Sequence, residues 1–332
     1  MPNINDVVRL SGVSKSTVSR VINNYPHIAP EKRERVIKVM KEIGYTPNVS
    51  AQKLRGLAGK IIGVIVPRIV NPFFSYLVES IEKEGYRRGY QTVIFQSNED
   101  SKREVDFLNL LKRKQVDGVI MTAYENDWDT IKKYLKFGPI VLCNEYLPEP
   151  FVPIVKVDQF TASYEGVKHL VQQGYRKIAY CTGGLFNDSG KYKDRNHGYE
   201  KALAEADIEI NPSWLFIKRH TIEDGRKVLH QIYNMQDRPD AIFTGSDEVA
   251  AGIIMEARKV GLRIPEELAV IGFDDQPLAE MLMPELTTIK QPVSDIGYQA
   301  MDLIINRLEG NEVEVEDKIY TLPFKLVIRK ST

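Results

Sequence analysis

No stretch of the 332 residues approaches the roughly 20 apolar positions that a membrane-spanning helix requires, so a membrane protein is excluded as an expectation. No basic start with an apolar segment behind it opens the chain: Met1-Pro2-Asn3 leads straight into a helical pattern, and a cytoplasmic protein is expected. Cysteine is scarce. Cys143 and Cys181 both sit in apolar, strand-like runs and read as buried thiols rather than disulfide partners or metal ligands. His169 and His197 lack metal-like spacing to other His or Cys residues. No Gly-rich loop is followed by Lys and Ser/Thr, and Cys181-Thr182-Gly183-Gly184 lacks that context. No metal, cofactor or catalytic residue is therefore expected. Glu266-Glu267 reads as solvated surface, and an enzyme acting on carbohydrate is a remote alternative.

Net charge is also missing, with 45 basic and 45 acidic residues, yet the balance is uneven along the chain. Residues 1–60 hold eleven Lys/Arg against four Asp/Glu, a net +7, which leaves −7 on the remainder. A basic module on an acidic body suits nucleic-acid binding by the first part and not by the second.

Within the basic part, Val13–Asn23 separates at about 100° per residue into two faces. Val18, Val21 and Ile22 share one; Lys15, Ser16, Ser19, Arg20 and Asn23 share the other. Ser14 is placed to cap the helix. Upstream, Asn3 can cap Ile4–Ser11, whose stripe is Ile4, Val7, Val8 and Leu10, and Gly12 supplies a tight turn. Two short helices joined in this way have the form of a helix-turn-helix. A third helix, about Pro30–Ile43, points Val36, Ile37, Met40 and Ile43 inward and completes an all-α headpiece over residues 1–46. Lys15, Ser16 and Arg20 are expected to read base edges; Ser14, Thr17, Ser19, Asn23 and His27 are expected to hold phosphates.

Gly44-Tyr45-Thr46-Pro47-Asn48 then stops the helix, and residues 47–58 form a linker with one short helical stretch, Val49–Arg55, too short to be stable alone. The ordered motifs Ile4-Asn-Asp-Val, Gly12-Val-Ser, Thr17-Val-Ser-Arg-Val, Ile43-Gly-Tyr-x-Pro-Asn and Ala51-x-x-Leu54 resemble the lactose-repressor (LacI/GalR) family of bacterial transcriptional regulators. The resemblance implies that the linker is a hinge helix entering the minor groove, with Leu54 as its apolar wedge and Ala51 beside it. It also implies paired chains on a pseudopalindromic operator. Tetrameric relatives carry a further Leu-heptad helix after the last strand; this sequence stops at Phe324–Thr332, so a homodimer is expected.

From Lys60 the pattern changes to alternating strands and helices, starting with the continuous apolar run Ile61–Pro67, and this alternation predicts parallel sheets flanked by helices. The strands are too many for one compact sheet, which points to two α/β lobes around a cleft. The resemblance makes residues 59–332 a periplasmic-binding-protein-like core with three crossovers, near Asp158–Thr161, Leu286–Lys290 and Leu322–Phe324. The N-lobe then combines about 60–158 and 290–322, the C-lobe about 161–287 and 324–332.

Open α/β sheets bind ligands at the carboxyl ends of their strands. Candidates there are Asn71, Phe73 and Phe74 after the first core strand, then Tyr124, Asn144, Glu145, His220, Asp247 and Asp274. The resemblance adds Arg195 and supports Asp274 as effector contacts. A donor-only Arg facing an acceptor-only Asp suits a hydroxyl-rich small molecule. The acids Glu145, Asp158, Asp247 and Asp274 raise an amino sugar as the effector. A phosphorylated carrier protein, as in catabolite-control members, stays open as the alternative partner. Lys114-Gln115-Val116-Asp117-Gly118 and Gln291-Pro292-x-x-Asp295-Ile296-Gly297 look like that branch, while Asp302 puts an acid where its docking face should be basic.

Overall fold

The computed structural model describes residues 2–22, 25–45, 59–145, 151–182, 193–311 and 319–332. The chain divides into two compact units, Met1–Gly59 and Lys60–Thr332. In the first, helix α1 (Ile4–Ser11) begins with a reciprocal cap. The Asn3 side chain accepts the Asn5 N–H at 2.9 Å, and the Asp6 carboxylate accepts the Asn3 N–H at 2.9 Å. Gly12, left-handed at φ 66°, ends it. Helix α2 (Lys15–Ile22) is capped by Ser14, whose hydroxyl accepts the Thr17 N–H at 3.3 Å. Helix α3 (Pro30–Glu42) opens on a proline at its first turn.

The three helices close on a core made of valine: Val7, Val13, Val18, Val21, Val36 and Val39 are buried together. The expected stripes are narrower than predicted. Leu10 and Ile37 are exposed, because a core this small is filled by valines from three sides and leaves the flank of each helix in water. Leu54, Ala51 and Asn23 lie outside the described residues.

The second unit holds two sheets. Strands β1 (Ile61–Val66), β2 (Gln91–Gln96), β3 (Gly118–Met121), β4 (Ile140–Cys143) and β5 (Ile154–Val157) alternate with helices α4 (Pro72–Arg87), α5 (Ser101–Lys112) and α6 (Trp128–Lys132). The second sheet contains β6 (Ile178–Thr182), β7 (Leu215–Ile217), β8 (Ala241–Phe243), β9 (Ala269–Asp274) and β10 (Thr287–Lys290). Helices α7 (Gln159–Gln172), α8 (Lys193–Ala204), α9 (Ile222–Tyr233), α10 (Asp247–Val260) and α11 (Leu278–Met281) belong with it. The chain then returns through α12 (Val293–Glu309) to β11 (Ile319–Leu322) and ends with β12 (Lys325–Val327).

The first sheet has the order β11-β5-β4-β3-β1-β2 with every pair parallel. The second has the order β12-β10-β9-β8-β6-β7 and departs from the all-parallel expectation at one edge, where β12 runs antiparallel to β10. A chain that crosses over directly from β11 to β12 with only Pro323 and Phe324 between them has no room for a helical return. The second crossing also differs. Thr287–Lys290 is a paired strand of the second sheet, and the chain leaves it at Gln291-Pro292.

Each sheet is covered on both faces, which is why strands such as β1 are apolar throughout. On the second sheet, α9 and α10 meet backbone to backbone. A Cβ on Gly252 would stand 2.0 Å from the Ile222 carbonyl oxygen, and one on Gly225 would stand 2.1 Å from that of Val249.

Candidate functional site

On the headpiece, the polar face of α2 is open to water. Ser14, Lys15, Ser16 and Arg20 are exposed, Thr17 and Ser19 half-buried, and His27 exposed beyond the helix. The Ser14 hydroxyl bonds those of Ser16 (3.0 Å) and Thr17 (2.9 Å), so the start of α2 presents a fixed hydroxyl cluster. Short polar side chains beside one Lys and one Arg let a helix approach a phosphate backbone closely while the long arms reach base edges.

In the core unit a cavity of about 160 Å³ opens at the carboxyl ends of both sheets, far larger than the roughly 10–15 Å³ that holds one water. Eight predicted residues line it: Asn71, Phe73, Phe74, Asn144, Glu145, Arg195, His220 and Asp274. Asn71 also caps α4, its Oδ1 accepting the Phe73 N–H at 2.9 Å, and its Nδ2 donates across the cleft to Glu248 at 2.7 Å. Phe73 and Phe74 stand edge to face with centroids 5.2 Å apart, giving the first lobe an apolar wall.

Three predicted residues are not in the lining. Asp158 accepts the N–H and hydroxyl of Thr161 and caps α7. Tyr124 lies just past Thr122 and Ala123, the lining residues after β3. Asp247 is fully buried beneath the cavity, where Oδ1 accepts the Thr288 hydroxyl and Oδ2 the Gln276 N–H, each at 2.6 Å. It fits only because β9 has a glycine opposite: a Cβ on Gly272 would stand 2.2 Å from Asp247 Oδ1.

The floor of the cavity is a hydrogen-bonded chain through two glutamines that sequence reasoning missed. Gln159 lies at the first crossing and Gln291 in the second. Gln159 Nε2 donates to Asn144 Oδ1 at 2.7 Å, Asn144 Nδ2 to Gln291 Oε1 at 2.8 Å, and Gln291 Nε2 to Asp274 Oδ1 at 2.7 Å. Arg195 joins the chain by donating Nε–H to Gln159 Oε1, and its Nη1 donates to the Gly245 carbonyl at 3.0 Å. The guanidinium carbon stands over the Phe273 ring, 3.7 Å from its centroid. Position relative to the crossovers is the one signal that could have singled out these glutamines.

Asn144 at φ 58° and Asp274 at φ 107° occupy backbone regions that side chains rarely adopt, and both line the cavity. Such strain costs about 1–3 kcal/mol per residue and persists where the surroundings enforce it. Burial pushes Asp274 up to about 7 against the opposing charge of Arg195. Burial also pushes Asp247 well above the usual carboxylate range, with the Asp274 charge adding to it.

Residues 3–48 match the family described as bacterial regulatory proteins, lacI family. Residues 59–328 match the periplasmic binding proteins and sugar binding domain of LacI family. The chain belongs to the LacI family. Among LacI-family relatives, the NTD biosynthesis operon regulator NtdR of Bacillus subtilis (strain 168) is 43% identical over 332 residues, covering all of both chains. A LacI-family transcriptional regulator from Lactobacillus casei, solved with bound sucrose, is 33% identical with a TM-score of 0.76, over 82% of this chain and 99% of that one. The lac repressor dimer bound to operator and an anti-inducer has a TM-score of 0.86 at 26% identity, over 99% and 98% of the two chains. As a LacI-family member this chain is a DNA-binding transcriptional regulator, with a helix-turn-helix headpiece and a two-lobed α/β core.

Proposed function

We propose that a small sugar-like molecule bound between the lobes lowers the affinity of a homodimer for a pseudopalindromic operator, so that the protein is a repressor induced by its ligand. The observation that carries this reading is the single chain of hydrogen bonds from Asn144 through Gln159 and Gln291 to Asp274 and Arg195. It places cavity residues in direct contact with two of the segments on which the lobes hinge, so a ligand that prefers one lobe arrangement shifts the population toward it. Solved relatives hold sucrose and glucose in LacI-family regulators of Lactobacillus casei, which supports a sugar as the ligand class. On this reading the chain acts by binding rather than turnover, as its relatives named transcriptional regulators support. Melting curves of the full chain with a sugar panel, paired with operator titrations, test it; a ligand that stabilises the protein yet leaves operator affinity unchanged would overturn it.

The acid-rich rim that raised an amino sugar is smaller than expected. Asp158 and Asp247 are committed to α7 and to the second sheet, leaving Glu145 and Asp274 of the four in the cavity. The carrier-protein alternative is not favoured. On the α4/α12 face Arg88 is already held by Asp302 at 2.8 Å and by Glu309 at 2.9 Å, which removes a cation a phosphoprotein would need.

Replacing Arg20 with Ala is expected to weaken operator binding by about 1–3 kcal/mol and to relax base preference at one position of each half-site. Titrations on specific and random duplexes check this, and an equal loss on both would make Arg20 a phosphate contact. Dimerisation is supported by apolar residues in water: Val70, Met281 and Met283 are each about four-fifths exposed, and Val93 and Ile94 project from edge strand β2. Sedimentation of the full chain is expected to give the mass of two chains; a monomer at micromolar concentration, or a tetramer, would contradict it.

A further inference from the structure

We infer that Arg219 is a specificity-determining residue of the interlobe cavity, donating the side-on edge of its guanidinium to two adjacent hydroxyl oxygens of the effector. The inference rests on the reading of this cavity as the effector site. Arg219 lines the cavity from the loop after β7, held there by its own N–H on the Thr182 carbonyl at 3.3 Å. Its Nε is buried and has no hydrogen-bond partner among the described residues.

The other two guanidiniums in the cavity are occupied: Arg68 pairs with Glu99, and Arg195 bonds Gln159 and Gly245. Asp224 feels the Arg219 charge, which helps to lower its pKa. Its Oδ2, however, is taken up by the backbone N–H groups of His220 and Thr221 and by the Thr221 hydroxyl. A buried donor left unmet opposes folding, so a fold that keeps one in a ligand cavity leaves it for an acceptor that arrives from solution.

Nε and the adjoining Nη form a fork that matches two neighbouring oxygens in one plane, whether of an anion or of a vicinal diol. The cavity decides between them. Its lining holds three guanidiniums, Arg68, Arg195 and Arg219, against three carboxylates, Glu99, Glu145 and Asp274. Among the described residues, Arg68 and Arg195 are already taken up by protein acceptors while Glu99 and Glu145 stand as carboxylates on the first lobe, so an anionic group meets repulsion there where a diol does not.

The test uses the full chain with Arg219→Met and Arg219→Lys. Without ligand, Arg219→Met is expected to melt close to the wild-type temperature, because the buried Nε it removes has no hydrogen-bond partner among the described residues and the Asp224 carboxylate stays held by His220 and Thr221. A fall of several degrees would make Arg219 a structural residue and overturn the inference. Calorimetry then follows with sucrose, glucose, glucosamine and glucose 6-phosphate as probes. Any of these that binds the wild type is expected to lose at least tenfold in affinity on Arg219→Met, and most of that loss on Arg219→Lys, since a single ammonium cannot reproduce the fork. An unchanged affinity overturns the inference, and so does preferred, Arg219-dependent binding of the phosphate ester. If none of the four binds the wild type, the reading of the cavity as a site for such sugars is what fails, and the ligand-free melts still decide whether Arg219 is held in reserve from the fold.

Discussion

Asp274→Asn is expected to flatten the dependence of stability on pH between about 4 and 7. In the folded protein burial holds the Asp274 carboxyl up to about 7, against an unfolded value near 3.9. Between those values the folded state keeps a proton that the unfolded chain has released. Its contribution is therefore fully present below about pH 4 and is lost as pH rises through about 7, at up to ~1.4 kcal/mol per pH unit. Over roughly three units that makes up to about 4 kcal/mol, a large share of the ~5–15 kcal/mol that usually holds a domain together. Asp247 is shifted in the same direction and adds to the wild-type slope. Effector affinity is expected to move the opposite way. A ligand hydroxyl that donates to the Asp274 carboxylate binds more tightly as pH rises toward a plateau above 7. Urea unfolding at pH 5, 6, 7 and 8 on both proteins reads the first effect, and an undiminished slope in the Asn variant would assign it to another group. Ligand titration over the same range reads the second.

Gly252→Ala is expected to destabilise the core unit by about 3 kcal/mol or more. Helix propensity alone favours the change by up to ~1 kcal/mol, since alanine is the better helix former. Sterics oppose it and win. The new methyl would sit 2.0 Å from the Ile222 carbonyl oxygen, and a helix backbone cannot rotate aside as a side chain could. Gly225→Ala meets the Val249 carbonyl at 2.1 Å in the same helix contact. The two changes together should cost little more than either one, because separating α9 from α10 once relieves both. Denaturant midpoints of the two single variants and the double variant check this. A single-variant cost below about 1 kcal/mol, or strict additivity, would mean that the helices do not touch at these glycines.

The headpiece was legible almost residue by residue. Its helices start and stop through groups three or four positions apart, such as Asn3 with Asp6 and Ser14 with Thr17, and those pairings are written in consecutive sequence. Even there the burial of Leu10 and Ile37 was misjudged, because a helical stripe shows which face is apolar but not how wide the packed area is. The alternation of the core was read equally well, starting with the apolar run Ile61–Pro67, which forms β1 to within one residue.

The cavity was legible only in part. Asp247 and Asp274 look alike in sequence, each an acid at the carboxyl end of a strand. Tertiary structure separates them: Gly272 opens a slot that Thr288 and Gln276 close around Asp247, while φ 107° turns Asp274 toward the cleft. Gln159, Gln291 and Arg219 carry no local signal, since their roles depend on segments as much as 147 residues apart meeting at one edge. The sequence by itself determined a capped, basic three-helix headpiece and an alternating α/β core, because caps, hydrophobic periods and charge blocks act over a few residues. Only the tertiary structure decided which acids face the cleft, which guanidinium keeps a buried Nε without a partner among the described residues and which glutamines join the lobes, because those outcomes follow from burial and hydrogen bonding between distant segments.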